Sequence, residues 1–362
     1  MTTSPVPDLA DVLAARQRIA PYLRPTPLYR YPALDELTGA RLRVKHENHQ
    51  PVGAFKVRGG VNLISQLSPD ERRRGVIAAS TGNHGQSVAW AADLFGVRAV
   101  ICMPAQANPV KVESMQALGA EVVFGGRDFD EAREHCEKLA TEHGYRYIHS
   151  GNEPALIAGV GTYTLEILLA EPDTEVLVVP VGGGSGAAGA CVVAKAVRPS
   201  VEVIGVQSEA APAAYRSWRA GALVEDTTST FAEGLATRTA FELPQRILRD
   251  RLDDFVLVSE DGLKEATRVM IEKTRNLVEP AGAAALAAVL AAPGRFAGRK
   301  VAIVCSGGNI SPAQLAGLWS LARARAGFVA TAGFIGPVVP SERIWDACES
   351  CGAPDAPDAL GG

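Results

Sequence analysis

The sequence predicts an α/β protein built on parallel sheets, and three observations carry that prediction. From Gly75 onward, short apolar runs alternate with helix-length amphipathic segments, the rhythm of βαβ units. The runs Glu175–Pro180 and Lys300–Cys305 are apolar without alternation, as expected of strands covered on both faces. Glycine- and serine-rich turns follow several of these runs, where open α/β sheets place their ligands.

Residues 1–10 read as disordered. The pattern then predicts a helix over Leu9–Tyr22, a break at Pro25-Thr26-Pro27, a strand over Arg41–Glu47 and a helix over Val61–Leu67. A small module follows over 75–150. Its expected elements are a strand Gly75–Ala79, a turn 80–85, a helix Gln86–Phe95, a strand Ala99–Met103, a helix Val110–Leu118, a strand Glu121–Phe124, a helix Phe129–His143 and a strand Tyr147–His149. A second set comprises a helix Glu153–Ala170, the strand at 175–180, a helix Ala190–Val197, a strand Val201–Val206 and a helix near Pro244–Arg251. Ser259 is an N-cap, with Glu260 and Asp261 in the first turn of a helix to about Asn276. Helices over Pro280–Ala292 and Pro312–Arg325 flank the strand at 300–305. The organisation is therefore a discontinuous large domain, 1–68 and 153–325, interrupted by the small one at 75–150. A Gly/Pro/Ala-rich tail covers 326–362.

Composition narrows the function. The 362 residues are 47% hydrophobic and 21% charged, with net charge −4 and no basic stripe, so nucleic acid is not an expected partner. No apolar run is long enough to span a bilayer, and the N-terminus lacks a secretory pattern. Six cysteines in this length do not make a disulfide framework; Cys102, Cys191 and Cys305 read as buried thiols. Cys348 and Cys351 form a lone CxxC with no second ligand pair, and no metal is expected. A cytoplasmic protein is the expectation.

Four turns carry the chemistry. In Gly53-Ala54-Phe55-Lys56-Val57-Arg58-Gly59-Gly60 a single lysine lies between apolar neighbours. A desolvated lysine is a nucleophilic amine, suited to Schiff-base formation. Gly182-Gly183-Gly184-Ser185-Gly186 follows a strand and opens a helix, a cup for a terminal phosphate. Gly184-x-Gly186-x-x-Gly189 also matches a dinucleotide fingerprint, with Glu202 near the position of a ribose-binding acid. On that alternative the protein is an NAD-binding oxidoreductase. The remaining turns are 80–85 and Ser306-Gly307-Gly308-Asn309.

Together these segments resemble the serine/threonine dehydratase and serine racemase family, pyridoxal-phosphate enzymes of the tryptophan-synthase β-like fold (fold type II). Glu47 to Gly60 is similar to the family's cofactor-lysine motif, and Ser80-Thr81-Gly82-Asn83-His84-Gly85-Gln86 to its Ser-Ser-Gly-Asn-His loop. The triple glycine with Ser185 and Gly186, the segment Glu279-Pro280-Ala281-Gly282 and the loop 306–309 match three more, in order, over about residues 15–325. The resemblance implies that Lys56 carries pyridoxal 5'-phosphate as a Schiff base, with Phe55 beside the ring. It implies Asn83 at the phenolic oxygen, Gly182, Gly183, Gly184, Ser185 and Gly186 at the phosphate, and Ser306 at the pyridine nitrogen. Glu279 and Gly234 would lie at the ring. Ser80, Thr81, Gly82, Asn83 and His84 would hold the substrate carboxylate, and the freed Lys56 would take the Cα proton.

The activity so implied is an ammonia-lyase (dehydratase) turning a 3-hydroxy amino acid, threonine or serine by default, into a 2-oxo acid and ammonia. A homodimer is implied as well, and no C-terminal regulatory domain is expected. Ala54 and Gly60 stand where the family often has Ser and Ala, Glu233 where it has Asp, and Thr81 where it has a second Ser. The β-methyl of Thr81 restricts its rotamer, which argues against racemase activity. These changes leave room for an unusual substrate such as a phenylserine or a hydroxyectoine-derived amino acid. Racemisation, β-replacement and non-catalytic cofactor binding are the other readings.

Overall fold

The strands at 176–180 and 300–305 are buried along all but one residue each, so neither face of the sheet around them meets water. The structure is a computed structural model and describes residues 4–127 and 129–326. Its strands are β1 (Leu28–Tyr29), β2 (Arg41–His46), β3 (Val76–Ala79), β4 (Ala99–Met103), β5 (Glu121–Phe124), β6 (Arg146–Tyr147), β7 (Val176–Pro180), β8 (Glu202–Ser208), β9 (Asp254–Val258) and β10 (Lys300–Cys305). They form a six-stranded sheet in the order β1-β2-β10-β7-β8-β9 and a four-stranded sheet in the order β5-β4-β3-β6. Every pairing is parallel except β1 with β2.

Alternation along β7 divides the hydrophobic core in two. Leu177 and Val179 face one cluster, and Val176 and Val178 face the other. In the small sheet, Val76 and Ala78 likewise join the first cluster, while Ile77 and Ala79 pack with Cys102 and Cys136. Helices therefore cover both faces of each sheet. Cys102, Cys136, Cys191 and Cys305 are buried and free, and no described helix is long and apolar enough to cross a membrane. By its contacts the chain divides into Met1–Leu318, which holds both sheets, and Trp319–Gly362. The tail expected over 326–362, with Cys348 and Cys351, lies outside the described residues except for Ala326, which ends the helix Pro312–Ala326.

Three helices begin earlier than their sequence pattern predicts. The helix expected from Val61 spans Val57–Ile64, that expected from Gln86 spans Asn83–Leu94, and that expected from Ala190 spans Ser185–Val197. Each extra turn contains small or polar motif residues of poor helix propensity, held helical by burial. Gly59 has the reason on its surface: a Cβ there would lie 2.7 Å from the Leu156 side chain. The helices Pro32–Thr38 and Ala213–Ala220 and strand β9 have no counterpart in the sequence reading.

Candidate active site

Lys56 sits where the loop from β2 turns into the helix Val57–Ile64. That loop is strapped to the loop after β10. The Phe55 amide donates to the Ser306 carbonyl at 3.1 Å, the Gly308 amide to the Gly53 carbonyl at 2.9 Å, and Ala54 bridges Gly307. Arg58, one turn edge further on, is wholly buried. It donates to Glu47 at 2.7 and 2.8 Å and to Glu166 at 2.7 and 2.8 Å, so the fork fixes the start of the helix. The Ser87 hydroxyl donates to the Lys56 carbonyl at 2.7 Å. With its backbone held, Lys56 directs its Nζ to the Ser185 hydroxyl at 2.8 Å and the Ser150 carbonyl at 3.0 Å. Burial, with no carboxylate partner, lowers its pKa to about 8.

Two helices, one following a strand of each sheet, open uncapped N-termini onto the cavity that Lys56 lines. The helix Ser185–Val197 has Gly184 as its N-cap, at φ +90°, with no side chain on its first amides. The left-handed φ favours glycine, and a Cβ on neighbouring Gly182 would collide with the Gly234 carbonyl. Open first-turn amides over a bed of glycines are an anion cradle. The Tyr163 hydroxyl holds the Gly186 carbonyl at 2.8 Å, and Phe55 meets Tyr163 edge-on at 6.1 Å. The helix Asn83–Leu94, after β3, has Gly82 as its N-cap and again lacks a side-chain cap. The Ser80 hydroxyl accepts the Gly82 amide at 3.1 Å and shapes the turn. A second anion cradle thus lies across from the first.

The floor between them is polar. Asn83 donates from Nδ2 to Glu279 at 2.8 Å and accepts through Oδ1 from Asn309 at 2.7 Å. Burial pushes the Glu279 carboxyl up, against the pull of the Asn83 bond. Buried His84 bonds the Ile148 carbonyl at 3.2 Å; desolvation and the nearby Lys56 charge lower its pKa to about 3, so its ring is neutral. Ser306, 7% exposed, opens onto the same space.

Phe55, Lys56, Ser80, Thr81, Gly82, Asn83, His84, Gly182, Gly183, Gly184, Ser185, Gly186, Gly234, Glu279 and Ser306 all line one cavity of about 600 Å³. Residues that the sequence reading did not single out line it as well. Lys111, from the helix Pro109–Ala117, pairs with Glu233 on the far side. Burial lowers the Lys111 pKa. Ser150 and Phe241 line the wall too, as does Asn309 of the 306–309 turn. The sequence placed Lys111 in an expected helix over Val110–Leu118 and singled out Glu233 by its segment, and the fold brings the two together.

A reactive lysine between two anion cradles, in a cavity large enough for a cofactor and a small acid, defines a covalent-cofactor enzyme of the α/β class. The chain belongs to the pyridoxal-phosphate-dependent enzyme family, whose model matches residues 19–307. It is 41% identical over 303 residues to an L-threonine ammonia-lyase of Thermotoga maritima, covering 83% of this chain and 75% of that protein. It is 36% identical over 316 residues to an L-threo-3-hydroxyaspartate ammonia-lyase of Saccharomyces cerevisiae, covering 87% of this chain and 97% of that one. Among solved structures, serine racemase from Dictyostelium discoideum superposes with a TM-score of 0.79 at 33% identity, covering 84% of this chain and 99% of its own. The residues present fit pyridoxal phosphate: an amine for its aldehyde, a glycine cup for its phosphate and a neutral hydroxyl, Ser306, within the same cavity.

Proposed function

We propose that this enzyme is an ammonia-lyase (dehydratase) that converts a 3-hydroxy amino acid, threonine or serine by default, to the 2-oxo acid and ammonia. The observation that carries the reading is the Lys56 amine, its pKa brought to about 8, facing one anion cradle for a phosphate and another for a carboxylate. When bound, the cofactor supplies an electron sink for the bond cleaved at Cα.

Lys56 would hold the cofactor through its amine, and the freed amine would take the Cα proton. The amides of Gly182 to Gly186 and the Ser185 hydroxyl hold the phosphate. Ser306 would be the neutral partner of the pyridine nitrogen; a carboxylate there would favour a protonated ring, so a hydroxyl would favour elimination over transamination. Asn83, held by Glu279 and Asn309, would serve the cofactor's phenolic oxygen, and Phe55, Gly234 and Glu279 would surround the ring. Ser80 to His84 bind the substrate carboxylate, with the Thr81 hydroxyl adding a donor. Water leaves across Cα–Cβ, the freed enamine takes up water, and ammonia departs, which balances the reaction.

The 75–150 unit carries the substrate loop and closes on the cofactor-bearing remainder, 1–68 with 153–325. A cytoplasmic homodimer is the assembly we propose, supported by the family resemblance. The test is release of 2-oxo acid and ammonia from a panel of threonine, serine, 3-hydroxyaspartate and phenylserine. Turnover of at least one supports the reading, and turnover of none contradicts it. Chiral analysis of residual substrate detects racemisation, which the Thr81 methyl disfavours.

A further inference from the structure

The sequence between β6 and the helix Pro154–Ala170 makes a tight turn whose centre is a histidine outside the cavity. His149 Nδ1 accepts two main-chain amides, Gly151 at 3.0 Å and Asn152 at 3.0 Å. A nitrogen accepting two N–H groups carries no proton, so the ring is not an imidazolium; the Asn152 side-chain nitrogen lies 3.4 Å from Nε2. Burial, then the charge of Lys56, lowers the pKa of the ring to about 4, consistent with that state. Phe241 meets the ring edge-on at 4.6 Å, and its own edge fills the space that a Cβ on Gly151 or Gly183 would need. The Asn152 side chain accepts the Leu243 amide at 3.1 Å, tying the turn to the Phe241 segment. The residue caught inside this turn is Ser150, whose carbonyl accepts from Lys56 Nζ.

We propose that His149 is the positioning residue of Lys56: by gathering the Gly151 and Asn152 amides it turns the Ser150 carbonyl onto the lysine amine. The inference rests on Lys56 being the cofactor-binding base of the proposed function. An amine nitrogen has four directions. One is Cε, one is taken by the Ser150 carbonyl and one by the Ser185 hydroxyl, so the fourth is aimed. Ser185 also belongs to the phosphate cup. With the cup filled, the Ser150 carbonyl is the acceptor left to aim the amine. A backbone carbonyl serves here because it stays an acceptor at every pH.

The test compares His149→Asn with His149→Phe in the cofactor-loaded enzyme. Asparagine presents a side-chain oxygen to the amides two and three residues ahead, whereas phenylalanine keeps the ring contact with Phe241 and has no acceptor. H149F is expected to lower kcat by about 10- to 100-fold with the amino-acid KM within about twofold, and H149N to recover most of that loss. Where H149F does not accumulate folded, His149→Ala removes the acceptor without its bulk and takes its place. The second readout is the rate at which apo-enzyme captures pyridoxal phosphate on Lys56, followed by absorbance, which needs no amino-acid substrate. It should fall in H149F and recover in H149N. Capture rates equal to wild type in H149F, or H149N no better than H149F, overturn the proposal. Because capture is read without turnover, failure of the ammonia-lyase reading and failure of the His149 assignment are told apart.

Discussion

On the side of the six-stranded sheet, the Lys56 loop and the Ser306 loop are joined main chain to main chain, Phe55 to Ser306 and Gly53 to Gly308, and Lys56 reaches the 182–186 loop through the Ser185 hydroxyl. On the side of the four-stranded sheet, the 80–84 loop and the helix Pro109–Ala117 reach across through side chains: Asn83 to Glu279 and Asn309, and Lys111 to Glu233. Main-chain bonds between packed loops hold regardless of ligand; side-chain pairs can be exchanged for a ligand. The wall carrying Lys56 and Ser306 is therefore built to stay, and the wall carrying Thr81 and Lys111, the one assigned to the substrate, is built to yield. Changes to the first wall should appear in cofactor binding and chemistry, and changes to the second in KM.

The largest expected effect is at Lys56. Lys56→Ala should lower 2-oxo acid release by on the order of 10⁴-fold, since it removes both anchor and base. Gly182→Ala drives a Cβ into the Gly234 carbonyl. It should weaken pyridoxal phosphate affinity by about 100-fold, read by titration of apo-enzyme, while kcat at saturating cofactor stays within about fivefold. The pKa of about 8 at Lys56 sets a pH dependence. Only the neutral amine attacks an aldehyde, so cofactor capture by apo-enzyme should rise about tenfold per pH unit below 8 and flatten above it. A capture rate still climbing toward pH 10 would mean an ordinary solvated lysine.

On the yielding wall, Thr81→Val keeps the shape and loses the hydroxyl. It should raise the amino-acid KM by about tenfold and leave cofactor affinity unchanged. Smallest is Lys111→Met, which breaks a pair half open to solvent on its Glu233 side and should raise KM by about fivefold or less. Loss of cofactor affinity in either variant would erase the distinction between the walls.

Much of this was legible in the sequence for a local reason. Lys56, the glycine cup and the 80–84 turn are each spelled by adjacent residues, and strands such as β4, β5 and β10 are short apolar runs between turn residues. What was not legible depends on distant partners. The start of the helix Val57–Ile64 was hidden because Gly59 and Gly60 argue against helix, and it is tertiary contact with Leu156 and Ser87 that holds them there. Lys111 reads as a solvated helix residue until the fold brings Glu233 to it. Ser150 acts through its carbonyl, which no side-chain motif marks.

The central claim is that Lys56, and no other amine of the cavity, anchors the cofactor. Borohydride reduction of the loaded enzyme, followed by proteolysis and mass mapping, tests it directly. The account predicts a single pyridoxyl-phosphate adduct on the peptide containing Lys56. An adduct on Lys111, the other lysine lining the cavity, or no adduct on an enzyme that turns over, would contradict it.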